Sequence, residues 1–130
     1  VLVKAVACPL FVPFAEEGWI SGGVVEEVAR VYLKPLKSAR VDTVILGCTH
    51  YPLLKTVIKE VLGRDVRLID SAKQVAVEVQ NILLTEGLLH KELKKGRRRF
   101  YVSDNPEWFK GLAARFLGQP VQNIVKVNPS

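Results

Sequence analysis

Apolar and polar positions along the chain switch repeatedly between the two-residue period of a strand and the 3.6-residue period of a helix. The opening run 1-VLVKAVAC-8 is strand-like, and a Pro-rich connector, 9-PLFVPFAEEGWISGG-23, follows it. Val24, Val28, Val31, Tyr32 and Leu36 then recur at helical spacing, and Pro35 is expected to end or kink that helix. The order repeats in 41-VDTVILG-47, short and apolar enough for a strand buried on both sides, with a helix expected from about Pro52 to Leu62 and stopped by Gly63. A third unit joins 66-VRLID-70 to a long helix through Val75, Val79, Ile82 and Leu83, with Asp70 or Ser71 placed to cap its free amides. The fourth joins 98-RRFYVSD-104 to a helix opened by Pro106 and carrying Trp108, Phe109, Leu112 and Phe116. The run 121-VQNIVKV-127 is the last strand.

Strands alternating with helices of this length predict an α/β protein, a parallel sheet with helices on both faces. The loop 87-GLLHKELKKG-96 is the expected boundary between two parts of the chain. With 130 residues, 48% hydrophobic and 25% charged, the composition is that of a globular domain and excludes a disordered tail. No apolar run approaches the roughly 18 residues of a membrane span, and the N-terminus lacks a secretory signal pattern, so a cytoplasmic protein without a membrane partner is expected. Cys8 and Cys48 do not make a disulfide framework and read as reduced thiols. The net charge of +6 is concentrated in 91-KELKKGRRRF-100. No RNA-binding aromatic motif or second basic stripe accompanies it, so a solvated loop is expected and no nucleic-acid partner. The sequence contains no methionine and Val1 lies inside a strand-like run, which suggests a piece of a longer chain.

The chemistry concentrates in 46-LGCTHYPLL-54, where an apolar run ends and a helical pattern starts. Ligands of open parallel sheets sit beyond the carboxyl ends of the strands, where Cys48 falls. Helix-start amides and a neighbouring imidazole both favour a thiolate, which could serve as nucleophile, metal ligand or base. No metal site is expected, because the sequence has neither a C-x-x-C nor an H-x-x-x-H pair. A phosphatase loop would carry an arginine six positions after the cysteine, where Leu54 stands. Thr49 offers a hydroxyl and an amide able to hold a carboxylate, and His50 can exchange protons near neutral pH.

LGCTHYPLL resembles the second catalytic-cysteine motif of glutamate racemases, and 7-ACPLFVPFAEEG-18 is similar to a second signature of that family. The strings 68-LIDSA-72 and 101-YVSDNPEWFKGLAARFLG-118 fit the family's later segments in order and spacing, so the resemblance spans essentially the whole chain and corresponds to the family's second half. It implies an architecture of the aspartate/glutamate racemase type, with two similar domains and the active site between them. Residues 1–95 would form the second domain and 96–130 would complete the first. It further implies an isomerase without cofactor, converting L-glutamate to D-glutamate for peptidoglycan, and hence for cell-wall biogenesis and cell shape. In that chemistry a base on one face of the α-carbon and an acid on the other exchange roles, and two thiols can do this. By resemblance Cys48 is one of the two, His50 supports proton transfer, and Thr49 with the His50 backbone holds the substrate. Glu16 is the expected functional glutamate, with Glu17 as close alternative. The family's other catalytic cysteine, in an ACNTAS-type motif, and its Asp-Ser and Tyr-Gly pairs have no counterpart in this sequence, and Cys8 reads as a packing residue. The chain is therefore expected to hold half of a site, to need the N-terminal half of the same protein as partner, and not to racemise glutamate unaided; a homodimer stays open. A racemase of aspartate or another small acid, and a non-catalytic binding module, are the rival readings.

Overall fold

The structure, a computed structural model, describes residues 2–90 and 96–128. Val1, residues 91–95 of the basic run and of the 87–96 loop, and with them the border expected at 95, lie outside the described residues. The chain forms two compact units, Val1–Leu88 and Leu89–Ser130. The first contains α1 (Phe11–Glu17), α2 (Gly23–Ser38), β1 (Thr43–Leu46), a 3-10 turn (Tyr51–Leu54), α3 (Lys55–Leu62), β2 (Arg67–Asp70) and α4 (Ser71–Thr85). The second contains β3 (Phe100–Val102), α5 (Pro106–Leu117) and β4 (Ile124–Lys126).

The expected parallel α/β character is present in both units. β1 pairs with β2 in parallel, Leu46 opposite Asp70, and α3 makes the crossover that parallel neighbours require. β3 pairs with β4 in parallel, Tyr101 opposite Val125, with α5 as the crossover. Asn105 starts α5 by accepting from the amides of Glu107 (2.9 Å) and Trp108 (3.3 Å), with Pro106 in the first turn where no amide is missed. Gly118 ends it in the left-handed region, at φ 64°.

Four expectations need correction. Residues 2–7 take part in no strand, because an edge becomes a strand only when a neighbour completes the ladder, and among the described residues none pairs with them. The Pro-rich connector contains α1, with Pro13 in its first turn, where a missing amide costs little. α2 runs through Pro35 to Ser38 and buries Val25, Ala29, Leu33 and Leu36, leaving Val24 and Val31 at 60% and 63% exposure. The apolar residues of this helix occupy more than one stripe, so the periodicity alone did not select the buried one. β1 is covered on one side only: Leu46 is buried and Ile45 is 71% exposed.

The core of the first unit lies where α2 packs on α3 and both meet α1. Ala29 is fully buried and lets the helices approach, while Leu54, Val57, Ile58 and Val61 of the 3-10 turn and α3 fill the space beside it. Each such side chain contributes on the order of 1.5–3 kcal/mol by leaving water. α4, by contrast, buries none of its residues in this chain, although Val75, Val79 and Ile82 share a face.

α4 is fastened at its start. The Asp70 carboxylate accepts from the amides of Ala72 (3.0 Å) and Lys73 (3.3 Å) and takes a charge-assisted bond from Lys55 Nζ at the first residue of α3. The Lys55 bond is the main reason the Asp70 carboxyl is held below its ordinary range. A folded-state value below the unfolded one means that this stabilisation is complete above about pH 4 and is lost as pH falls through the folded value. Asp70→Ala is expected to lower stability by about 1 kcal/mol through the cap alone. Urea midpoints should show the deficit at neutral pH and should converge with the parent protein on acidification.

Candidate functional site

Three segments of the first unit converge at the carboxyl end of β1. Cys48, Thr49 and His50 form the link from β1 to the 3-10 turn, which is tightened by bonds from the Tyr51 amide to the Cys48 carbonyl (3.3 Å) and from the Leu53 amide to the His50 carbonyl (3.1 Å). Leu54, at 0% exposure, anchors the far end of that turn in the core. Glu16 comes from the last turn of α1. Phe11 and Ala15 bury one face of this helix, and Gly18, at φ 80°, closes it by directing its amide back to the Ala15 carbonyl.

These placements bring the four sequence-derived candidates into one contact series. His50 Nε2 lies 3.3 Å from Glu16 Oε1, and His50 Nδ1 lies 3.8 Å from Cys48 Sγ and 3.4 Å from Thr49 Oγ1. The carboxylate thus meets one ring nitrogen, while the thiol and hydroxyl meet the other. With the proton on Nε2 directed at Glu16, the Nδ1 lone pair faces Cys48, the tautomer that the carboxylate favours. A thiol proton can pass to that lone pair and return. The group is accessible: the side chains of His50 and Glu16 are 21% and 34% exposed, and Cys48 is half-buried. Glu17, one residue along α1, is exposed.

Cys8 has a different environment. It is buried at 6% exposure within the core cluster, its Sγ directed at the Val6 carbonyl at 3.9 Å, and burial pushes its thiol above the ordinary value.

Two contributors were missed in the sequence. Tyr51 lies inside the LGCTHYPLL string, yet nothing in the spacing marks its role: its hydroxyl donates to the Cys8 carbonyl (3.4 Å) and its ring meets Phe11 edge-on, with centroids 5.4 Å apart. It therefore ties the His50 turn to the segment that carries Glu16. Burial is the first cause, and the neighbouring cysteines the second, that raise the Tyr51 hydroxyl above its usual range. Lys55 was the other: it opens α3 directly after the turn and bonds Asp70 at the end of β2, fifteen positions away, and no local spacing marks it.

No family model matches the chain. Individual proteins do. Over 122 residues, 94% of the chain, it is 48% identical to the glutamate racemase of Geobacter metallireducens. It is 45% identical over 129 residues to that of Mycobacterium tuberculosis. The crystal structure of glutamate racemase from Francisella tularensis in complex with D-glutamate superposes with a TM-score of 0.86 at 37% identity, covering 97% of the chain. The chain is homologous to the C-terminal portion of glutamate racemases. The glutamate racemase from Thermus thermophilus in complex with β-chloro-D-alanine gives the same TM-score at 45% identity. The chain spans about half the length of these racemases: 45% and 48% of the two sequences, 47% and 48% of the two structures. Among the described residues, no helix is long and apolar enough to cross a membrane.

Proposed function

We propose that this chain contributes one face of the active site of a glutamate racemase, and that Cys48 is the proton-transfer group of that face. The observation that carries the reading is the Cys48–His50–Glu16 series at the end of β1 in a chain homologous to racemases, one of which is described with D-glutamate bound. In the forward direction a thiolate takes the α-proton of glutamate. The Cα–H bond breaks, an S–H bond forms, and the electron pair stays on the α-carbon, delocalised into the carboxylate. A thiol on the opposite face then gives its proton to that carbon, and the configuration is inverted. Each turnover leaves the two thiols with exchanged protonation, and the reverse reaction restores them. No cofactor enters this balance.

In this scheme Thr49 and the His50 backbone hold the substrate, and His50, oriented by Glu16, returns Cys48 to the required protonation state. The opposite thiol comes from the N-terminal half of the racemase, and the chain alone does not turn over glutamate. D-glutamate produced in this way serves peptidoglycan synthesis in the cytoplasm.

The test joins the chain to the N-terminal half of the Geobacter metallireducens racemase and follows L- and D-glutamate in deuterated water. Racemisation with deuterium entering the α-position in step with inversion is expected. Inversion of aspartate in preference to glutamate, or of glutamate without solvent deuterium, would overturn the reading.

A further inference from the structure

The segment 47–54, which carries Cys48, Thr49 and His50, is tied at both of its ends to one residue. Where it leaves β1, Leu46 stands opposite Asp70 in the parallel ladder. Where it enters α3, Lys55 Nζ donates to Asp70 Oδ2. The path from Leu46 through the turn to Lys55, across to Asp70 and back to Leu46 is therefore a closed ring, with Asp70 as the common point. The two carboxylate oxygens have separate partners. Oδ1 accepts from the Ala72 and Lys73 amides at the start of α4, and Oδ2 takes the Lys55 bond.

Residues 47–50 belong to no helix or strand, so the place of the thiol and the imidazole depends on what holds the turn from outside. On the side of α1 the ties are His50 to Glu16 and the Tyr51 hydroxyl to the Cys8 carbonyl. On the side of β2 the tie is Lys55 to Asp70. Cys48 Sγ and His50 Nδ1 are 3.8 Å apart, a separation at which a small shift of the turn decides whether a proton can pass. A displacement of about 1 Å at a reacting group can cost on the order of 100-fold in rate. An ion pair whose lysine is 39% exposed adds little to global stability, so the effect of this one is local.

We infer that Lys55 and Asp70 are positioning residues for Cys48: the bond between them closes the base of the turn and fixes where the thiol and His50 stand at the end of β1. The reaction that this serves rests on the racemase reading; the ring rests on the geometry. Both residues act through the turn rather than on the reacting atoms. The chemistry suits the task, since a charge-assisted bond is stronger than a neutral one and the long lysine stem reaches from the first residue of α3 to the end of β2. Because the α4 cap uses Oδ1, the Lys55 bond can be removed without freeing the start of that helix.

Lys55→Met, which keeps the stem and removes the donor, is made in the full chain and in the chain joined to the N-terminal half of the Geobacter metallireducens racemase. In the full chain, amide hydrogen exchange in peptides covering 47–54 is expected to quicken by about tenfold, with exchange in α2 and the urea midpoint close to the parent's. In the joined enzyme kcat for glutamate is expected to fall by about tenfold with KM nearly unchanged. Lys55→Arg restores a cationic donor and should recover most of both losses. Val25→Ala, a core change in α2 outside the ring, should lower the urea midpoint without singling out 47–54. Parental exchange in 47–54 with Lys55→Met overturns the inference. Quickened exchange with parental kcat also overturns it, leaving the pair a structural tie only. So does a change that Val25→Ala reproduces in the same peptides. If the joined parent enzyme does not racemise glutamate, the activity reading fails, and the exchange measurement alone decides whether the ring holds the turn.

Discussion

Cys48→Ser is expected to reduce racemisation by about 10²–10⁴-fold in an enzyme that carries this chain as its second half, the range that a positioned acid–base group contributes. The substitution is nearly isosteric, so the contact geometry around His50 Nδ1 is kept, but a hydroxyl is a far weaker acid than a thiol and holds its proton through the step that must accept one. The loss should fall on kcat in both directions, with thermal unfolding unchanged. Exchange of the α-proton from the face served by the other cysteine should survive better than full inversion, because only one of the two proton transfers is removed. An enzyme that inverts glutamate normally with serine at this position would exclude Cys48 from the chemistry.

Phe11→Ala is expected to have the largest effect on stability. Phe11 is 1% exposed and meets the rings of Tyr32 (5.6 Å) and Tyr51 (5.4 Å) edge-on. Removing a fully buried phenylalanine costs about 3–5 kcal/mol, a large part of the roughly 5–15 kcal/mol that holds an ordinary domain folded. Because the ring supports both α1 and Tyr51, the change also loosens the seat of Glu16 and the turn of His50. Urea unfolding should register the cost directly. Phe11→Leu, which retains much of the volume, should recover most of it.

The sequence already contained most of what sets the local elements. Asp70 and Pro106 mark the beginnings of α4 and α5 by the chemistry of a capping carboxylate and of a residue without an amide, and Gly63 marks the end of α3. The Cys48, Thr49 and His50 group could be found because it interrupts an apolar run with three reactive side chains. Its link to Glu16 came from resemblance, since no periodicity connects a helix end to a loop more than thirty residues away. What was not legible depended on neighbours. The buried stripe of α2 is chosen by what α3 presents, and the state of residues 2–7 by whether a strand lies beside them. The Tyr51 bond to the Cys8 carbonyl spans 43 positions and has no local signature.

The contrast between the two sulfurs has a practical result. Cys8 is sealed in the core with its acidity suppressed by burial, and Cys48 stands half-open at the end of β1. Peroxide and electrophilic drugs, which need access to sulfur, will therefore meet Cys48 first. Oxidative damage to this chain is thus concentrated on a single atom, and Cys8 would not compete for a covalent inhibitor directed there.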